Sequence, residues 1–288
     1  MDAHTLTSDS LTAVVSADGA ELHSLRTADG QELIWQADRV WWGRHAPHLF
    51  PIVGRLNDDR LTHHEQHYPM SQHGFARDMR FNFEDMDLHS ANLLLKDTAD
   101  TRAKYPFAFE LRIRFNLVHN SLRITYTVKN PGTTPLPCSI GAHPAFNWPI
   151  APNLSKDNHQ IVFEEAEPAP ISRLDKGLLK KDTTASPMQA EILPLADSLF
   201  EEDAIIFTQH ESRQVRYTGP EGPSIRINFK DFPHLGIWTV PGAGFICIEP
   251  WQGHSSPVDF KGNFEQKPGI VNIPAGEERQ WEMTITIE

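Results

Sequence analysis

Four short stretches of the chain set ionisable or hydrogen-bonding side chains beside glycine, proline or aromatic residues. They are Pro51-Ile52-Val53-Gly54-Arg55, Gln72-His73-Gly74-Phe75-Ala76-Arg77, Gly141-Ala142-His143-Pro144-Ala145-Phe146-Asn147 and Ile246-Cys247-Ile248-Glu249-Pro250-Trp251-Gln252-Gly253. Glu249 is the most telling residue. Strand alternation puts it on one face with Cys247 and Phe245 while Ile246 and Ile248 take the other, so both faces are largely apolar. A carboxylate there is partly buried, and desolvation raises its pKa toward the range useful to a general base. On a second strand, Ser139 and Gly141 share the face of His143 and leave space above the sheet for a ligand. Both His143 and Glu249 precede a proline, which excludes helical backbone and favours an extended one. Their side chains are then held in fixed directions, as a preorganised acid and base require.

Each residue also has a plainer reading. A lone strand histidine is more often a hydrogen-bonded structural residue, and a strand-end glutamate more often meets an arginine. Arg55 is either such an ion-pair partner or a ligand group. Phe146, Trp148, Trp238 and Trp251 are either core or faces that stack on sugar C–H bonds. The run His64-Glu65-Gln66-His67 falls one residue short of the zinc-protease spacing; with His63 beside it, it reads as an exposed hairpin turn, and no metal is expected. The chain has no glycine-rich phosphate loop, no G-x-S-x-G elbow and no C-x-x-C pair, which removes the usual support for nucleotide-dependent or zinc-ribbon readings. Cys138 and Cys247 sit among apolar or small neighbours and suit reduced core thiols better than a disulfide; a thiol nucleophile is the lesser alternative.

The elements that must carry these residues read as strands. Leu111, Ile113, Phe115 and Leu117 alternate along one strand, and Leu122, Ile124, Tyr126 and Val128 along the next, with His119-Asn120-Ser121 as the turn of a hairpin. Turn signals at Asp18-Gly19 and Asp29-Gly30 punctuate an N-terminal meander, and further strands are predicted at Ile225–Phe229, Phe245–Glu249 and Met283–Ile287. Helical periodicity is scarce. The stretch from Ala151 to Glu202, interrupted by charge and proline, reads as a long strandless excursion over the sandwich. The expected fold is all-β: one large antiparallel β-sandwich spanning 1–288, a length that such sandwiches, at ~250 residues as one unit, can fill.

The bulk properties narrow the partners. A formal net charge of −12 with no dense Lys/Arg cluster argues against nucleic acid, and no run approaches the ~18 apolar residues that span a bilayer. The acidic, non-apolar start at Met1-Asp2-Ala3-His4 is unlike a secretory leader, so a cytoplasmic protein, monomer or homodimer, with a mostly neutral small ligand is expected.

Taken in order, Gly54-Arg55-Leu56-Asn57, the stretch around His73, the stretch around His143, Asp203-Ala204-Ile205-Ile206-Phe207 and the stretch around Glu249 resemble the aldose 1-epimerase (galactose mutarotase-like) superfamily, closest to its LacX-type branch. The resemblance spans most of the chain. It implies a β-supersandwich whose concave face binds a pyranose without a cofactor, galactose or glucose being the expected kind of sugar. Glu249 becomes the base at the anomeric hydroxyl and His143 the acid at the ring oxygen. Arg55, His73 and Asp203 become hydrogen-bonding partners of sugar hydroxyls, with Phe146 and Trp238 as further substrate contacts. General acid–base catalysis, worth ~10²–10⁴-fold per well-placed group, suffices for ring opening. Proline and alanine follow His143 where better-known galactose mutarotases carry polar and aromatic residues, which leaves the sugar open. The stretch around His73 also resembles the hexose-6-phosphate epimerase branch, in which Arg77 or Arg80 would meet a phosphate. A non-catalytic carbohydrate-binding module on the same fold is the reading from another class. A glycosidase is weaker, since it needs two facing carboxylates and only Glu249 stands out.

Overall fold

The alternating apolar residues of the central hairpin fold as their period demands. Glu110–Val118 and Ser121–Lys129 pair antiparallel through the turn His119-Asn120, and along each strand every second residue is buried. They lie inside a nine-stranded antiparallel sheet, next to its central strand, in a computed structural model that describes residues 2–288. Glu278–Ile287, longer than its expected span, pairs with Ser121–Lys129 on one side and with Ile225–Asn228 on the other.

The stretch from Ala151 to Glu202 is not the strandless excursion its composition suggests. Gln160–Phe163 and Ile192–Pro194 form the last two strands at one end of the large sheet, and Leu174–Asp175 pairs with Leu178–Leu179. These strands run for two to four residues between charged and proline-rich turns, too short for alternation to register.

A second sheet of six strands carries the candidate residues. Its longest strand, Phe245–Gln252, is buried at all eight positions, and alternation divides it. Ile246 and Ile248 enter the large core shared with the nine-stranded sheet, while Phe245 and Cys247 join a smaller cluster on the opposite face. Each fully buried aliphatic or aromatic side chain in that shared core contributes about 1.5–3 kcal/mol. No helix among the described residues is long and apolar enough to cross a membrane.

Candidate active site

The strand Phe245–Gln252 is flanked on one side by two short strands, Ile140–Ala142 and Ala145–Asn147. Their registers, Gly141 opposite Trp251 and Ala145 opposite Cys247, continue one another across the break at His143-Pro144. The residue left facing His143 is Glu249. On its other side the partner strand His234–Trp238 sets Gly236 against Glu249. A Cβ at Gly236 would lie 2.3 Å from the Trp251 ring and one at Gly141 2.6 Å from it, so the two glycines make room for that indole.

Trp251, Glu249 and His143 line a cavity of about 390 Å³, within the 300–1,000 Å³ usual for small-molecule sites. His143 Nε2 lies 3.1 Å from Glu249 Oε2, but the angle does not make a hydrogen bond. Among the described residues Glu249 Oε2, His143 Nδ1 and Trp251 Nε1 have no hydrogen-bond partner, though all are buried. Unpaired buried polar atoms are costly, and three of them at one cavity suit a site whose partners come with a ligand. Trp42 stacks on the His143 ring, with Trp238 and His73 against its edges.

Burial sets the proton affinities. It pushes the Glu249 carboxyl well above its ordinary value, and the Asp203 charge adds to the effect. Burial, helped by the Arg77 cation, pulls the His143 imidazole down to about 3. Both shifts favour the uncharged form of the group concerned, carboxyl for Glu249 and imidazole for His143.

The remaining wall comes from loops brought together by glycine. Gly54 and Gly74 both have φ in the left-handed region, +71° and +74°, and a Cβ at either would overlap Ser255 Oγ or the Phe50 carbonyl. His73 N–H donates to the Gly54 carbonyl at 2.7 Å, while the Gly54 N–H donates to His73 Nδ1 at 3.2 Å. That second bond makes Nδ1 an acceptor, the Gln72 side-chain amide lies 3.3 Å from Nε2, and burial lowers the proton affinity of the ring. Asp203 and Leu174 also line the cavity, and Leu174 brings part of the 151–202 stretch to the site.

The structure thus brings together Glu249, His143, His73, Asp203 and Trp238. Two other expected sugar contacts lie elsewhere. The Arg55 guanidinium turns outward onto the Asp59 carboxylate, with N–O distances of 2.7 and 2.6 Å, and donates to the Lys176 carbonyl. Phe146 is paired in register with Ile246, so alternation sends it into the large core, while its neighbour Ala145 faces the site cluster.

Sequence reasoning missed Trp42 and Gln72 as lining residues, left Trp251 open between core and sugar-stacking face, and left Arg77 undecided against Arg80. Trp251 had a signal, its two-residue spacing from Glu249. Gln72 flanks His73. Arg77 lines the cavity and donates to the Gln72 carbonyl, whereas Arg80 bonds Asp2 and Asp18 at the surface. Trp42 lies in a loop without period, and no sequence signal marks it.

Comparison with known proteins bears on the family and the fold. The profile of the family described as Aldose 1-epimerase matches residues 2–272. The plasmid protein LacX of Lactococcus lactis subsp. lactis is 34% identical over 279 residues, 93% of either chain. Among solved structures, a galactose mutarotase related enzyme from Lactobacillus acidophilus superposes with a TM-score of 0.94 at 32% identity, over 99% of this chain and 97% of its own. A galactose mutarotase-like protein from Lactobacillus casei ATCC 334 gives a TM-score of 0.92 at 30% identity, over 99% and 100%.

Proposed function

Because the chain belongs to the aldose 1-epimerase family and has its galactose mutarotase-like fold, we propose that it interconverts the α and β anomers of an aldohexose by general acid–base catalysis, as one domain spanning 1–288. The observation that carries this reading is the 3.1 Å approach of His143 to Glu249 at the cavity wall.

The reaction needs one proton and two sites. In the reactive state the pair shares one proton, Glu249 being the carboxylate and His143 the imidazolium. Glu249 then takes the proton of the anomeric hydroxyl as the C1–O5 bond breaks and the C1 carbonyl forms. The electron pair of that bond goes to the ring oxygen, which His143 protonates. Rotation about C1–C2 and closure on the other carbonyl face return the opposite anomer with the roles reversed. His73 and Asp203 are hydrogen-bonding partners for sugar hydroxyls, and Trp42 and Trp238 supply apolar walls. Gln72 is a further candidate partner.

One observation favours a phosphorylated hexose. Arg77 lines the cavity, its buried Nε makes no hydrogen bond among the described residues and stands 3.8 Å from an Asp78 carboxylate oxygen, and a guanidinium suits a phosphate oxygen. Polarimetry on freshly dissolved α-glucose, α-galactose and α-glucose 6-phosphate tests both readings. Faster approach to anomeric equilibrium is expected, with the substrate order identifying the sugar class. Saturable sugar binding with no acceleration would instead make the chain a carbohydrate-binding module.

A further inference from the structure

A second cluster lies behind the His143 strand and is not used by the reaction. Glu21 is buried, and its Oε1 accepts the backbone N–H groups of His45 at 2.7 Å and Ala46 at 2.9 Å. Burial would raise this carboxyl, but His23 and those two backbone donors outweigh it and hold it below its ordinary value. His23, on the strand Leu22–Thr27, directs Nε2 at Glu21 Oε2 from 3.7 Å, and His45 Nδ1 stands 4.0 Å from Glu21 Oε1. The imidazoles stack with ring centres 4.3 Å apart and planes 21° apart.

Neither separation is a hydrogen bond, and neither imidazole bonds any described side chain or carbonyl. One ligand atom from each of the three residues lies within 4.8 Å of the others. In a tetrahedral site with bonds of ~2.0–2.2 Å, neighbouring ligand atoms stand ~3.3–3.6 Å apart, and the two imidazole–carboxylate pairs, which run to different oxygens of Glu21, stand at 3.7 and 4.0 Å. The donor set of two imidazoles and one carboxylate is that of zinc and its neighbours. The backbone bonds to Glu21 supply the outer support that orients a ligating carboxylate. His23 and His45 have side-chain exposures of 38% and 20%, which leaves an entry path and room for a water ligand.

We propose that Glu21, His23 and His45 bind a divalent transition metal of the zinc, cobalt or nickel kind, clamping the strand Leu22–Thr27 to the segment that backs His143. That segment is one backbone step from the acid–base pair. The His45 carbonyl accepts the N–H of Ala145, and the Pro47 carbonyl accepts the N–H of His143. A bound ion stabilises the folded chain by mass action and stiffens this support.

The test uses Co²⁺ as the probe on the full chain after chelator treatment, followed by Zn²⁺ competition and thermal melts. The expected result is one Co²⁺ per chain with visible d–d bands, displaced by Zn²⁺, and a Zn²⁺-dependent rise in Tm. His23→Ala is expected to weaken Co²⁺ binding at least about tenfold and to abolish the Tm rise. His63→Ala serves as control, because His63, His64 and Glu265 form a separate His/Glu group on the hairpin. Absence of Co²⁺ binding, or binding kept in His23→Ala, whether at the hairpin group or at His143, Cys247 and Glu249, would overturn the proposal. Neither readout involves a sugar, so the outcome is independent of the proposed epimerase activity.

Discussion

The indole of Trp42 lies face to face with the imidazole of His143, 4.9 Å between ring centres and 25° between planes. The same face that excludes water from the neutral ring attracts the imidazolium that forms when His143 takes up the proton. A desolvated cation over an indole gains about 2 kcal/mol. Trp42→Leu is therefore expected to lower kcat about 10–30-fold with a smaller change in KM, and Trp42→Phe to keep most of the rate. Exchange NMR of a pyranose at several concentrations separates the two constants. An unchanged kcat in Trp42→Leu would remove the stacking from the account.

The pH profile should carry an unusual acid side. Burial and Arg77 bring His143 down to about 3, while burial and Asp203 hold Glu249 well above the usual carboxylate value. The one-proton pair thus persists through the region where an ordinary histidine, near 6.5, gains its charge. Activity is expected to stay level from pH 7.5 to 6 and to fall on the alkaline side, where the pair loses its proton. An acid limb centred near pH 6.5 in protein still folded at that pH would contradict this.

Arg77 offers a way to read the substrate class. Charge-assisted hydrogen bonds to a phosphate contribute about 1.5–3 kcal/mol. Arg77→Leu is expected to raise KM for a 6-phosphorylated hexose about 10–100-fold while KM for the free sugar changes little. Any effect through His143 appears in kcat for both sugars alike. Equal KM changes for the two would dismiss the phosphate contact.

Acid should unfold the protein early. Burial lowers His48 and His254 to about 4 and His143 and His234 to about 3. In the unfolded chain these rings bind protons below about 6.5, so the unfolded state takes up more protons as pH falls. Stability is fully present above pH 6.5 and declines from there toward the folded values. By pH 5 each such ring removes about 2 kcal/mol, against a total stability of about 5–15 kcal/mol. Glu249, held high, works in the opposite direction and offsets part of the loss. Urea melts at pH 7.5, 6 and 5 are expected to show a steep fall in midpoint; a flat midpoint would mean the rings are charged in the native state.

What could be read from the chain follows from what period and spacing encode. The hairpin from Glu110 to Lys129 was legible because nine-residue strands with one buried face give a long alternation. The same rule put Glu249 on the face of Cys247 and against the face of Ile246. It applied equally to Phe146, but only once the register with Ile246 was known, and register is a tertiary fact. Arg55 shows a different gap. Its motif marks a site loop, yet the left-handed turn at Gly54 and the nearby Asp59 decide where its guanidinium goes. Gln160–Phe163 and Ile192–Pro194 escaped notice because two- to four-residue strands carry too little pattern to outweigh their charged flanks. Trp42 reaches His143 through a loop, and loop conformation leaves no periodic trace.

The most direct measurement is two-dimensional exchange NMR of an equilibrated aldohexose with wild type, Glu249→Gln and His143→Asn, each checked for folding by circular dichroism. Wild type is expected to add exchange between the α and β anomeric signals, and each variant to lose it by about 10²–10⁴-fold. Exchange at the wild-type rate in either folded variant would contradict the claim that these two groups move the proton.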